Sequence, residues 1–204
     1  FLDFRAARRK IKVTASGKTV LNLFSYTCGI GCCAVAAGAT EVLNVDFSAS
    51  ALQVGERNAQ ANGISSERFQ TLKEDVFPVV RQLAGLPVGG RRHRQPKHTK
   101  LTPRQFDICI LDPPRWSTGK FGAVDVVNDY PSIFKPALLA TAPGGRMLLT
   151  NNVASVDYSQ WTGVLARAAE KAGRPIEAIQ RIMPEEDFPS PDKTPPLKLA
   201  WLHV

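Results

Sequence analysis

Residues 19–31, TVLNLFSYTCGIG, constrain this chain more than any other stretch. Val20, Leu21, Leu23 and Phe24 form a short apolar run suited to a strand buried on both faces. Ser25-Tyr26-Thr27-Cys28 then turns, and Gly29-Ile30-Gly31 opens an Ala- and Cys-rich helix that ends near Gly38. A strand passing through a glycine loop into a helix lets backbone approach a ligand closely. Glycine removes the Cβ obstacle, and the first helical turn offers free N–H groups. The stretch predicts a site for a nucleotide-like cofactor.

The same strand-then-helix rhythm continues along the chain. Residues 1–12 read as a basic, partly amphipathic lead-in, helical from about Asp3, and residues 16–18 turn into the first strand. Residues 41–46 read as a second strand ending on an acid. Ser48 is a good N-cap for a helix over 49–61, which Asn62-Gly63 stops. Residues 68–72 make a third strand leading to Asp75, and 76–83 a helix that tolerates Pro78 in its first turn. Residues 106–111 form a fourth, central strand. A helix over 129–141, a Pro143-Gly144-Gly145 turn, a fifth strand over 146–150 and a helix over 157–171 follow. The last two strands, 176–182 and 197–204, have no helix between them and can pair antiparallel. The expectation is one α/β domain over 1–204. It is a Rossmann-like, seven-stranded, mostly parallel sheet with helices on both faces and an antiparallel C-terminal strand.

Charge separates the candidate partners. With 26 Lys and Arg against 18 Asp and Glu, the chain carries a net +8, which favours a polyanion such as nucleic acid over plain solubility only where the charge is clustered. It is clustered: Arg5, Arg8, Arg9, Lys10, Lys12 and Lys18 crowd the lead-in of 1–18, and a second group lies between Arg91 and Arg104. Residues 85–105 have no apolar periodicity and read as a basic inserted loop or disordered arm, either contacting RNA or simply solvated. Cys28, Cys32, Cys33 and Cys109 lack paired zinc spacing and read as free thiols of a reducing compartment, so no metal is expected. No apolar run reaches the ~18 residues of a membrane span. The chain begins on Phe1 rather than Met, so it reads as cut from something longer, and a targeting peptide is not observable. The expected location is the cytoplasm or an organelle with ribosomes.

Four features fall at carboxyl ends of predicted parallel strands: the 25–31 loop, Asp46, Asp75 and Asp112-Pro113-Pro114. An acid ending the second strand is placed to accept both hydroxyl protons of a ribose. Asp75 can receive the exocyclic amine of an adenine, cap the helix that follows, or do both. The spacing Gly29-x-Gly31-x-x-Ala34 nominally matches a dinucleotide fingerprint, so an NAD-binding oxidoreductase is a competing reading. Against it, four residues separate Phe24 from Gly29, and a pyrophosphate reader has no use for Asp-Pro-Pro. Two prolines stiffen the backbone and supply no N–H, leaving acceptors aimed at an incoming amine. Trp116, two residues on, can stack on a base or cap the core.

These residues resemble class I S-adenosylmethionine-dependent methyltransferases, of the bacterial large-subunit rRNA methyltransferase type. The resemblance rests on Phe1-Leu2-Asp3-x-Arg5, Val20-Leu21-Asn22-Leu23-Phe24-Ser25-Tyr26-Thr27, Val45-Asp46-x-Ser48 and Asp75-Val76-Phe77, with Phe106-Asp107, Asp112-Pro113-Pro114 and Pro143-Gly144-Gly145. It implies a methyltransferase acting on an RNA base with S-adenosylmethionine as cofactor. Arg5, Phe24, Ser25, Tyr26, Gly29, Asp46, Phe47, Ser48, Asp75 and Val76 would bind the cofactor. Asp112, Pro113 and Pro114 would form the catalytic floor, with Trp116, Asn151 and Asn152 toward the substrate. Arg5 would reach the methionine carboxylate, or else form a surface ion pair.

Two departures qualify the resemblance. Members have Gly where Cys28 stands, which narrows the loop. Members that methylate carbon-5 of cytosine carry a Cys just after the fifth strand, where this chain reads Thr150-Asn151-Asn152-Val153-Ala154-Ser155. Without that thiolate, a nitrogen target is the more consistent expectation, with Asn151 or Asn152 orienting the base. Members also carry an N-terminal RNA-binding domain outside this sequence. Alternatives are a catalytically silent cofactor-binding RNA module and a methyltransferase of small molecules or proteins.

Overall fold

Val20, Leu21 and Leu23 are fully buried, so the first strand, β1 (Thr19–Leu23), is covered on both faces, as its unbroken apolar run requires. The computed structural model describes residues 3–88, 97–119, 121–185, 187–188, 190 and 195–204. Around β1 the chain adds β2 (Glu41–Asp46), β3 (Phe69–Lys73), β4 (Phe106–Leu111), β7 (Thr141–Asn151), β8 (Ala178–Ile182) and β9 (Lys198–His203). Their spatial order is β3-β2-β1-β4-β7-β9-β8. The pairs from β3 to β7 are parallel, and β9 runs antiparallel to both β7 and β8. The chain reverses direction across the sheet between β1 and β4, and ligands of such folds bind outside the strand ends at that reversal.

Each face has its own helices. Val20, Val42, Ile108, Ile110, Leu148 and Trp201 pack under α1 (Arg5–Thr14), α2 (Gly29–Ala36) and α3 (Ala49–Ala61). Leu21, Leu43, Cys109, Leu111, Met147 and Leu149 pack under α4 (Val76–Leu83), α5 (Tyr130–Leu139) and α6 (Tyr158–Lys171). Alternate strand residues feed opposite faces, which is the period-2 pattern of a sheet buried on both sides. The buried interior also holds a polar tie. Asn22 donates to Asn44 Oδ1 at 2.8 Å, and Asn44 donates to the Gln70 carbonyl at 3.1 Å. Helix α2 lies so close that a Cβ on Gly31 would sit 2.1 Å from Asn44 Oδ1. Gly31 is therefore a packing requirement, not a phosphate-binding glycine.

Three features depart from the sequence expectation. Directly after Asp112-Pro113-Pro114 the chain forms a two-stranded hairpin, β5 (Trp116–Gly119) and β6 (Gly122–Asp125), which the sequence did not announce. The Pro143-Gly144-Gly145 turn lies within β7 and appears as a slip in the β4–β7 register between Phe106 and Ile108. The 85–105 insertion is not a loose arm throughout. Residues 89–96 lie outside the described part, but its return limb is docked. Thr99 donates through its N–H and its hydroxyl to Glu74 Oε2, at 2.8 and 3.0 Å. Gln82 donates to the Thr99 carbonyl and accepts from Leu101 N–H, while Arg104 makes a two-pronged ion pair with Glu41. Among the described residues no helix is long and apolar enough to cross a membrane.

Candidate active site

A cavity of about 490 Å³ opens at the carboxyl ends of β1, β2 and β4, lined by Asp3, Phe4, Phe24, Tyr26, Asp46, Phe47, Ser48, Asp112, Pro113, Pro114, Asn152 and Leu197. A small-molecule site of ordinary size falls in this range. Its shape starts with the turn after β1. The strand ends at Leu23, one residue earlier than its apolar run suggests, and Phe24, Tyr26 and Cys28 adopt left-handed φ values of 57°, 48° and 57°. Each such non-glycine residue costs roughly 1–2 kcal/mol. The strain holds Phe24 and Tyr26 against the cavity and leaves Tyr26 and Phe47 more than half exposed as aromatic walls.

Asp46 is the most constrained of the acids. It is 4% exposed, and its Oδ2 accepts from Tyr26 N–H and its Oδ1 from Ser48 N–H, both at 2.8 Å. One bond per oxygen leaves each with a further acceptor direction, which suits a ribose diol. Ser48 meanwhile caps α3 through Ala51 N–H. Asp75 caps α4 by accepting from Phe77 N–H at 3.0 Å. It also lines a second, smaller cavity with Phe24, Phe47, Val76, Phe77 and the hairpin residues Ser117, Thr118 and Val124. The hairpin thus closes the corner where an adenine edge would lie. Burial pushes the Asp75 carboxyl above the usual range, against the pull of the Phe77 N–H.

Asp112 forms the floor. Thr150, fully buried on β7, donates its hydroxyl to Asp112 Oδ1, and Tyr130 donates to the Thr150 carbonyl at 2.9 Å. Burial raises the Asp112 carboxyl, the Thr150 hydroxyl opposes this, and the nearby Asp3 carboxylate adds to it. Pro113 and Pro114 keep the backbone there free of N–H donors.

Two of the expected site residues are committed elsewhere. Arg5 does not line the cavity: its guanidinium pairs with Glu185 and Asp187 and stacks over Phe188, 5.8 Å from the ring centre. The basic residue beside the site is Arg8, one helical turn on, in a recess with Asn22, Ser25, Thr27, Gly29 and Ile30. That recess contains the start of α2, where no side chain caps the free N–H groups. Sequence reading missed Arg8, Asp3, Phe4 and Leu197; the amphipathic lead-in was the available signal for the first three. Asn151 is likewise unavailable to a substrate. It is fully buried, donating to the Val126 carbonyl at 3.1 Å and accepting from Val153 N–H at 3.1 Å. Asn152, its neighbour on the opposite face, is exposed and lines the cavity. Trp116, 59% exposed, stands on the hairpin rather than in the cavity wall.

No thiol lines either cavity or the recess between Arg8 and α2. Cys28 and Cys109 are buried, and burial pushes both thiols up to about 12. Cys28 points into α3, where a Cβ on Gly55 would come within 2.6 Å of its Sγ. Its cost is therefore a left-handed backbone and a glycine opposite, not a narrowed site.

With this geometry in place, the chain belongs to the S-adenosylmethionine-dependent methyltransferase family, which it matches over residues 1–202. It is 32% identical over 189 residues to ribosomal RNA large subunit methyltransferase I of Aeromonas salmonicida, covering 93% of this chain and 44% of that protein. The protein of the same name from Alteromonas mediterranea is 33% identical over the same shares. The chain thus spans less than half the length of these relatives. A solved structure described as a methyltransferase complexed with SAH, the demethylated cofactor, superposes with a TM-score of 0.78 at 26% identity. It covers all of this chain and 50% of that one. S-adenosylmethionine is the cofactor of the family, and the site fits it. Asp46 offers acceptors for a ribose, and the aromatic walls and the hairpin corner suit an adenine. The recess of Arg8 and the α2 start suits a carboxylate.

Proposed function

We propose that this chain is a methyltransferase domain acting on a nitrogen of an RNA base, with ribosomal RNA as the first substrate to test. The observation that carries the nitrogen target is the cavity floor: Asp112-Pro113-Pro114 supplies acceptors, and no thiol lines the site. Carbon-5 of a pyrimidine needs a nucleophile to activate the ring. An amine needs only orientation of its lone pair and an acceptor for the proton it loses.

S-adenosylmethionine supplies an electrophilic methyl group on a sulfonium. With the cofactor bound, Asp46 would hold the ribose and Asp75 the adenine edge, while Arg8 and the uncapped start of α2 would face the carboxylate; Arg5, paired with Glu185 and Asp187, would have no part in this. Phe24, Tyr26 and Phe47 exclude water, which favours an in-line displacement governed by positioning. The Asp112 carboxylate, fixed by Thr150, accepts an N–H of the target amine and turns its lone pair toward the methyl group. Asp112 would take up the proton that the amine loses on methylation and pass it on to water. Asn152 lies on the same wall to hydrogen-bond the base edge. A base within a duplex has to be flipped out to arrive there.

The test is transfer of tritiated methyl to unmodified ribosomal RNA, followed by nucleoside mass spectrometry. An N-methylated base is the expected product. 5-Methylcytidine as the product would overturn the nitrogen assignment, and transfer to protein or small molecules without transfer to RNA would overturn the substrate class.

A further inference from the structure

The return limb of the insertion and the hairpin meet. His98 packs edge-on against Phe121 at the hairpin tip, with ring centres 5.4 Å apart. Thr99 is tied to Glu74, the residue before Asp75, so the limb is anchored at the adenine corner of the site. The base of the same hairpin follows Asp112-Pro113-Pro114 and carries Arg115 and Trp116, both exposed. A single edge therefore runs from the floor of the cavity, along β5, to the limb.

Cations outnumber acids on that edge. Lys73, Lys97, Lys100 and Arg115 are exposed on it. The acids nearby are already engaged: Glu74 by Thr99, Asp75 by the Phe77 N–H, and Asp125 by the N–H groups of Val127 and Asn128. Among the described residues, Lys73, Lys97 and Arg115 have no carboxylate within ion-pair distance. Cations left over beside an exposed tryptophan are the combination that single-stranded nucleic acid recognises, through phosphates and a stacked base.

We infer that hairpin β5–β6 and residues 97–100 form a docking edge for a single RNA strand flanking the target base, with Trp116 stacking on a neighbouring base and Lys97 and Lys100 meeting phosphates. The edge has a defined reach. Four strand residues at about 3.3 Å each give roughly 13 Å, or about four stacked nucleotides at 3.4 Å. The docking edge explains why a domain of this size carries the insertion where a short connection would close the fold. It rests on the proposed RNA substrate, and its test separates the two.

The probes are a fluorescein-labelled 12-nucleotide RNA of mixed sequence, titrated over a range of KCl, and methyl transfer to ribosomal RNA measured in parallel. Lys97→Glu/Lys100→Glu should weaken binding at least tenfold and flatten the salt dependence. Two lost phosphate contacts remove about 1.4 from a single-strand slope of ~0.7 per contact. Trp116→Ala should weaken binding roughly 5- to 150-fold with little change of slope. Lys171→Glu, at the far end of α6, should match the parent protein. Calorimetric affinity for S-adenosylmethionine checks that each variant is folded. If the parent protein methylates RNA and the three edge substitutions leave affinity and slope unchanged, the docking edge is wrong. If RNA binding falls as expected but no protein transfers methyl to RNA, the edge stands and the enzymatic reading fails.

Discussion

Replacing Thr150 by Val keeps the shape of a fully buried β-branched side chain and removes one hydroxyl, the group that donates to Asp112 Oδ1. A hydrogen bond to a charged group contributes about 1.5–3 kcal/mol. One pKa unit corresponds to about 1.4 kcal/mol. The Asp112 carboxyl, already raised by burial, should therefore rise by a further one to two units in Thr150→Val. In the proposed mechanism the ionised carboxylate is the acceptor, so activity is lost as pH falls through this pKa. The acid limb of kcat/KM for methyl transfer should move up by about one to two pH units, with a smaller change on the alkaline plateau. Thr150→Ser, which restores the donor, should return the limb to its original position. Cofactor affinity at pH 8 should stay within a few-fold, since Thr150 lines neither cavity nor the Arg8 recess. An acid limb in Thr150→Val that coincides with that of the parent protein would refute the reasoning and remove Asp112 ionisation from the rate-determining chemistry.

Asp112→Asn should lower methyl transfer by at least about a hundredfold while flattening the dependence of stability on pH. A carboxyl raised on folding is a liability that appears as pH climbs from the unfolded value through the folded one, and thermal melts at pH 4 and pH 8 read its removal. Arg8→Ala should raise the dissociation constant for S-adenosylmethionine about tenfold by calorimetry, whereas Arg5→Ala should leave it within twofold, and the reverse ranking would restore Arg5 to the site. Gly55→Ala should destabilise by roughly 1–3 kcal/mol, because the new methyl meets Cys28 Sγ, although alanine is the better helix former. The double variant Cys28→Gly/Gly55→Ala should recover most of that loss in urea denaturation, and strict additivity of the two changes would show that the contact carries no energy.

Much of this was legible because the central strands announce themselves twice. Val42 to Val45 and Ile108 to Leu111 are apolar enough to be buried on both faces, and each run delivers an acid at its carboxyl end. Asp46 and Asp112 could be named from that alone. The hairpin could not, because arms of four residues rich in Gly, Ser and Thr have too few side chains to show a period. The choice between Arg5 and Arg8 was beyond the sequence for another reason. Both lie toward one side of α1, and what removes Arg5 is a pair of acids, Glu185 and Asp187, about 180 residues away. Asn151 and Asn152 show the opposite limit. Strand geometry says that one faces in and one out, but only the register of β7 says which.

The alternating left-handed residues of the β1–α2 turn set a conflict between what the domain gains by evolving and what it must keep. Glycine at position 26 would relax the backbone and should make the protein harder to melt, because Tyr26 is half exposed, whereas Phe24 also packs against the core. It would also strip an aromatic wall from the proposed cofactor cavity. Random mutagenesis selected only for thermal tolerance should therefore drift toward glycine at position 26 and lose the proposed methyl transfer, whereas selection for turnover should hold Tyr26. At position 28 the opposing demand is packing, since the buried Cys28 side chain faces α3 and lies away from the cavity. The same turn thus contains one strained residue that the proposed site would retain and two whose side chains are also held by packing.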